Sequence, residues 1–205
     1  MSLPLSFARA GPNRSPAHWL PRCRRNTTIC TTVQASITST VCLPLLWKYW
    51  DTLLASEDFS DTFDEMEGPL KLFLGHMLFD LFWVLLYNTG KGNDVGFLIH
   101  HTAIIVVWTL LLTKGFGHAF ALVAMCCEAT QPFIGAKWFM DQYGMQAHPV
   151  FAINGLIVFF GWWVLRLGGY TSFLGYKWAI NFGAVTSREW PTLVCWVAGA
   201  VLQVW

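Results

Sequence analysis

The sequence predicts an all-α protein, a polytopic bundle of about six transmembrane helices. Three observations predict it. Hydrophobic residues make up 55% of the chain and charged ones only 12%, against roughly 25% charged in an average soluble domain. Apolar runs of about 20 residues, the length that crosses a bilayer, recur between short polar turns. Charge is also segregated along the chain. Five of thirteen basic residues (Arg9, Arg14, Arg22, Arg24, Arg25) precede residue 26, where there is no acid, and seven of twelve acids fall between 51 and 67. Such asymmetry fixes an orientation in a membrane.

At 205 residues the chain holds one domain. Its six cysteines form no CxxC pair and lie mostly in apolar segments, which argues against a disulfide framework or a zinc site. No basic stripe follows the N-terminus, so nucleic-acid binding has no footprint.

Residues 1–25 read as a disordered basic segment and residues 26–205 as the transmembrane domain. The prolines at 4, 12, 16 and 21 oppose an amphipathic presequence helix, and no apolar stretch marks a secretory signal. The sequon Asn26-Thr27-Thr28 lies beside the basic cluster that belongs in the cytosol, so it is read as unused. The first span, about 30–50, is rich in small and hydroxyl residues that suit close helix packing. The acidic loop 51–68 follows, then the second span at about 69–88. A turn from Thr89 to Asp94 leads to the third span, about 95–113. Lys114-Gly115-Phe116-Gly117 turns the chain into the fourth, about 119–140, which Pro132 interrupts. The fifth, about 149–167, opens on a proline tolerated at a helix start. Residues 169–185 are ambiguous: re-entrant, interfacial, or part of a longer last span. The sixth is about 190–205. With the N-terminus in the cytosol, His100 and His101 sit near the cytosolic mouth of the third helix. Arg166, Lys177 and Arg188 then fall on the far side, against the same charge rule.

Ionisable groups inside a bilayer cost roughly 2.5–3.5 kcal/mol each on insertion scales and normally face a cavity or a partner. His76 and Asp80 are four residues apart, on one helix face with Trp83 and Tyr87. They either line a cavity or fix helix packing. His100 and His101 point about 100° apart on a helix. One can therefore meet a substrate while the other holds a backbone carbonyl or a carboxylate. Neutral imidazole suits a general base or an acyl acceptor, although a structural pair fits the sequence nearly as well. Glu128 and Gln131 share a face of the fourth helix, and Pro132 frees the carbonyl of Glu128. Glu128 could equally be a plain tie to a histidine. Metal ligation by His76, Asp80, His100, His101 and Glu128 lacks any recognised spacing such as HExxH, and no metal is assigned.

These residues resemble the TLC-domain family, which includes translocation-associated membrane proteins, ceramide synthases and small TLC domain-containing proteins. The His100-His101 pair opens a span and an acid follows in the next. After it, Gln131-Pro132-Phe133-Ile134-Gly135-Ala136-Lys137-Trp138-Phe139-Met140 is similar to the family's Pro-Phe-Leu and Arg-Trp-Phe-Leu, with Lys137 where arginine is usual. Arg25-Asn26-Thr27, the stretch from His76 to Asp80 (HMLFD) and the terminal Leu202-Gln203-Val204-Trp205 resemble further family features, so the likeness covers roughly residues 19–205. It implies a helical bundle enclosing a lipid-accessible cavity lined by the histidine pair. In ceramide synthases such histidines transfer a fatty-acyl group from acyl-CoA to a sphingoid amine. Two departures point to the small TLC domain-containing branch, linked to lipid homeostasis. MCCEATQPF offers only Glu128 where ceramide synthases carry several aspartates, and Val33-Gln34-Ala35 replaces a small histidine- or serine-bearing motif.

What the resemblance implies is a multi-pass protein of lipid homeostasis, with fatty-acyl transfer to a membrane lipid as one activity. His100, His101, Glu128 and Asp80 would be catalytic, and His76, Gln131, Lys137 and Trp138 would bind substrate. Lys137 would meet headgroups or CoA phosphates. No cofactor is expected beyond acyl-CoA as co-substrate. Membrane lipids are the expected partners, nucleic acid is not, and a homodimer is left open. The endoplasmic reticulum is the expected membrane, with the plasma membrane or another organelle as alternatives. The competing readings are a non-enzymatic lipid-binding regulator or cargo receptor, and a zinc-dependent lipid amide hydrolase.

Overall fold

The computed structural model describes residues 20–55, 61–87, 92–177 and 179. All the elements among them are helical: α1 (Leu20–Lys48), α2 (Trp50–Ala55), α3 (Glu67–Tyr87), α4 (Gly92–Lys114), α5 (His118–Cys126), α6 (Gln131–Gln142) and α7 (Pro149–Trp162). A 3₁₀ turn at Asp64–Met66 leads into α3, a 3₁₀ segment at Cys127–Thr130 joins α5 to α6, and a π-helical segment at Trp163–Thr171 continues α7. Among the described residues, five helices are long and apolar enough to cross a membrane: Thr27–Lys48, Asp64–Leu86, Val95–Lys114, His118–Gln142 and Pro149–Lys177. The sixth span expected at 190–205 lies outside the described residues. So do its terminal Leu202–Trp205, Arg188, and residues 1–19 of the basic segment.

The α1 sequence alternates hydroxyls with small residues, and those hydroxyls are satisfied locally. Thr32, Ser36, Ser39 and Thr40 each donate to the carbonyl four residues back at 2.7 Å. A hydroxyl consumed this way leaves a helix surface that packs closely without an unmet donor. That surface lies against α5, the 3₁₀ segment and α6, and also against α3. The fit is closest at Gly135, where an added Cβ would run into Thr32 Oγ1.

The fourth span is the centre of the bundle. It is 56% buried over its most apolar stretch, whereas the fifth is 6% buried. α3 packs against α4, and α7 lies on α6 and the 3₁₀ segment. Asn154 of α7 donates to the carbonyl of Phe133 at 2.9 Å. The turn into α5 needs left-handed backbone at Gly115 (φ 61°) and Gly117 (φ 72°), which glycine adopts without Cβ strain.

The end of the bundle near Lys48 and His118 is closed by the acidic loop folding inward. Tyr49 and Phe63 stack at 4.1 Å, and Tyr49 donates to Glu65 at 2.6 Å. His118 Nδ1 lies 2.9 Å from the Phe63 N–H, which donates to it. Leu53, Phe63, Met66, Leu70 and Phe116 are all buried in the core here.

Of the stretch 169–185 that the sequence leaves open, residues 169–177 continue the helix that begins at Pro149. The π segment carries the run past the point where a 20-residue ruler ended it. Arg166 therefore lies well inside a span instead of at its last turn.

Candidate functional site

Each of the five spans contributes a polar group to a buried cluster. On α3, His76 and Asp80 are one turn apart, and His76 Nε2 lies 3.6 Å from Asp80 Oδ2. His101 on α4 brings its Nε2 to 3.5 Å from the same oxygen. Thr31 of α1 donates to it at 3.3 Å. Asp80 thus ties three helices through one carboxylate oxygen, while its Oδ1 is buried without a hydrogen bond.

His101 is held on both sides of its ring. Its Nδ1 is 2.8 Å from the carbonyl of Phe97. A carbonyl only accepts, so Nδ1 carries a proton, and Nε2 faces Asp80. A carbonyl on one nitrogen and a carboxylate near the other fix the orientation of an imidazole. His100 is differently placed. Its ring centre is 5.7 Å from that of His101 at 73°, and its Nδ1 is buried with no hydrogen-bond partner. The two histidines thus divide as the 100° helical step requires: one anchored, one unengaged at Nδ1.

Glu128 does not pair with a histidine. Its Oε1 lies 3.8 Å from Arg166 Nη2, with both side chains more than four-fifths buried. Arg166 is the member of this pair that the sequence reading did not count among the candidate site residues. The available signal was a lone cation between Leu165 and Leu167, inside an apolar run that continues beyond it.

Local winding puts this pair where it is. Pro132 has no N–H to offer the carbonyl of Glu128. That carbonyl instead accepts from the Gln131 N–H across a tightened 3₁₀ turn. The π segment faces this turn. Cys127 Sγ donates to the Leu165 carbonyl at 3.4 Å, and Thr171 Oγ1 donates to the Arg166 carbonyl at 2.8 Å. One helix is overwound and its neighbour underwound at the level where Glu128 meets Arg166.

The remaining candidates stand apart. Lys137 pairs with Asp141 at 3.2 Å and lies over the Phe151 ring at 5.2 Å. It lines an open groove of about 380 Å³ with Gly155, Val158, Phe159, Trp162 and Trp163. Trp138 packs edge-on against Phe139 at 5.0 Å. Gln131 is half-buried just beyond Glu128, and neither its side chain nor that of Trp138 hydrogen-bonds to the cluster.

The TLC-domain family model matches residues 24–205, nearly the whole chain. This chain belongs to the TLC-domain family. It is 25% identical to TLC domain-containing protein 4-B of Danio rerio over 182 residues, 86% of this chain and 66% of that protein. It is 22% identical to TLC domain-containing protein 4 of Homo sapiens over 142 residues, 64% of this chain and 52% of the relative. The chain thus spans between half and two thirds of the relatives it matches. No solved structure matches it. A TLC domain with five helices among its described residues long and apolar enough to cross a membrane makes this an integral membrane protein, and the polar cluster is the candidate site of a TLC protein.

Proposed function

We propose that this TLC protein transfers a fatty-acyl group from acyl-CoA to an amine or hydroxyl of a membrane lipid. The observation that carries the reading is the asymmetry of the histidine pair. His101 is fixed by the Phe97 carbonyl and Asp80, while the buried Nδ1 of His100 has no partner. A neutral imidazole with a free nitrogen suits a general base or an acyl acceptor. His100 takes that role, and His101 and Asp80 position it. Glu128 contributes through Arg166. His76 and Gln131 border the acceptor, and Lys137 with Trp138 meets headgroup or CoA phosphates towards the membrane edge. The endoplasmic reticulum is the membrane this reading favours.

One observation favours a second reading, a lipid-binding regulator or cargo receptor without chemistry. Asp80 gathers Thr31, His76 and His101 about itself, as a purely structural tie between helices would. Membranes carrying wild type, His100→Ala or His101→Ala at matched expression, supplied with labelled acyl-CoA, separate the two. Label entering one lipid class with wild type and lost with His100→Ala supports acyl transfer. Equal labelling in all three, with each protein folded, removes it and leaves the regulator.

A further inference from the structure

Arg166 is an ion-pair partner with a spare donor. Its Nη2 lies 3.8 Å from Glu128 Oε1, an ion pair that engages one end of the guanidinium. Its Nε is buried and forms no hydrogen bond. A guanidinium N–H can only donate, and a buried donor left unmet is destabilising. The group that completes it must be an acceptor that reaches the membrane interior. His100 Nδ1 and His76 Nε2 are likewise buried without a hydrogen bond. A lipid-borne carbonyl is the acceptor that a bilayer supplies at such depth.

We propose that Arg166 is a catalytic residue whose Nε–H binds the carbonyl oxygen of a fatty-acyl thioester and holds the oxyanion that forms there. The assignment rests on the acyl-transfer reading above. In the step, His100 takes the proton of the acceptor amine or hydroxyl as that nitrogen or oxygen bonds to the carbonyl carbon. The π electrons of the C=O bond move onto oxygen, where Arg166 meets the charge. Collapse re-forms the C=O bond and breaks the carbon–sulfur bond. The thiolate then leaves with the proton from His100, so ester or amide plus free thiol account for every atom. The Glu128 carboxylate engages one end of the guanidinium, and the π winding with its Thr171-to-Arg166 hydrogen bond keeps the backbone in place. Fixed donors aimed at developing charge are worth most where water is excluded.

The test measures kcat and KM for acyl-CoA with the full chain, comparing wild type, Arg166→Gln and Arg166→Lys. Arg166→Gln is expected to lower kcat about 100- to 1000-fold, the effect of removing one oxyanion donor. KM is expected to stay within about threefold, because the contact strengthens only as charge develops. Arg166→Lys keeps a cation for Glu128, and with it the fold, but not the planar Nε–H. It should recover no more than about a tenth of the wild-type kcat, and it decides the matter if Arg166→Gln does not accumulate. A lysine variant as fast as wild type, or a glutamine variant within about threefold of it, overturns the role of Arg166 while leaving acyl transfer standing. A wild type that transfers no label overturns acyl transfer itself, and this assignment with it.

Discussion

Gly135→Ala tests the tightest of the glycine contacts among the described residues. The added Cβ would run into Thr32 Oγ1 and lie 3.2 Å from Thr32 Cβ and 3.3 Å from Thr32 Cγ2. To escape, the Thr32 hydroxyl must leave its 2.7 Å bond to the Thr28 carbonyl, losing about 0.5–1.5 kcal/mol. The residual crowding adds about 1–3 kcal/mol, and the better helix propensity of alanine returns up to about 1 kcal/mol. The net expectation is a loss of about 2 kcal/mol. Thr32→Ala removes Oγ1 and Cγ2 and leaves only the Cβ contact. Gly135→Ala should therefore cost at least about 1 kcal/mol less in the Thr32→Ala background than alone. Unfolding in mixed micelles with rising dodecyl sulfate, followed by tryptophan fluorescence, reads all four proteins of the cycle. Equal stability of wild type and Gly135→Ala, or additive effects of the two substitutions, would refute the packing of α1 on α6.

Three further outcomes follow from the same structure. Asp80→Ala strips the shared partner from Thr31, His76 and His101, and should cost about 3 kcal/mol in the same unfolding assay, the low end for a broken buried pair. Both Gly115 and Gly117 are left-handed, so alanine at either should lose about 1–2 kcal/mol. Only a Cβ on Gly117 also meets a neighbour, Leu111 Cδ2, so Gly117→Ala should unfold at lower dodecyl sulfate than Gly115→Ala. Pro132→Ala restores an N–H for the Glu128 carbonyl and lets Cys127–Thr130 rewind as α-helix, turning each residue by roughly 20°. It is expected to leave the protein folded and to reduce acyl labelling by moving Glu128 off Arg166; unchanged labelling would separate the 3₁₀ turn from the site.

The helical bundle was legible because bilayer physics leaves few alternatives. An apolar run of the right length between polar turns spans as a helix, since its backbone must bond to itself. The i,i+4 spacing of His76 and Asp80 and the 100° step between His100 and His101 were legible for a similar reason, being properties of one regular helix. Thr31 was not. A hydroxyl in a hydroxyl-rich span usually bonds to its own backbone, as Thr32, Ser36, Ser39 and Thr40 do here. Which of them turns instead to a neighbouring carboxylate is set by how the helices pack.

Arg166 was lost through the same regularity that made the rest readable. Counting about 20 residues from Pro149 ends a span near the arginine and exports it to the surface. In the structure the helix runs on to Lys177, and the arginine falls in the stretch wound as π-helix. Opposite it, Pro132 converts the helix before it into 3₁₀ winding, again invisible to a fixed period. Regular helices repeat their faces, so their polar residues can be assigned from spacing alone. Where two neighbours depart from the α-helical period in opposite senses, side-chain directions are set by the departure. Glu128 and Arg166 meet at that level, and π segments within helices frequently mark functional sites. The coincidence of irregular winding with an ion pair beside the histidines is therefore the strongest structural argument that this region of the TLC domain does more than hold helices together.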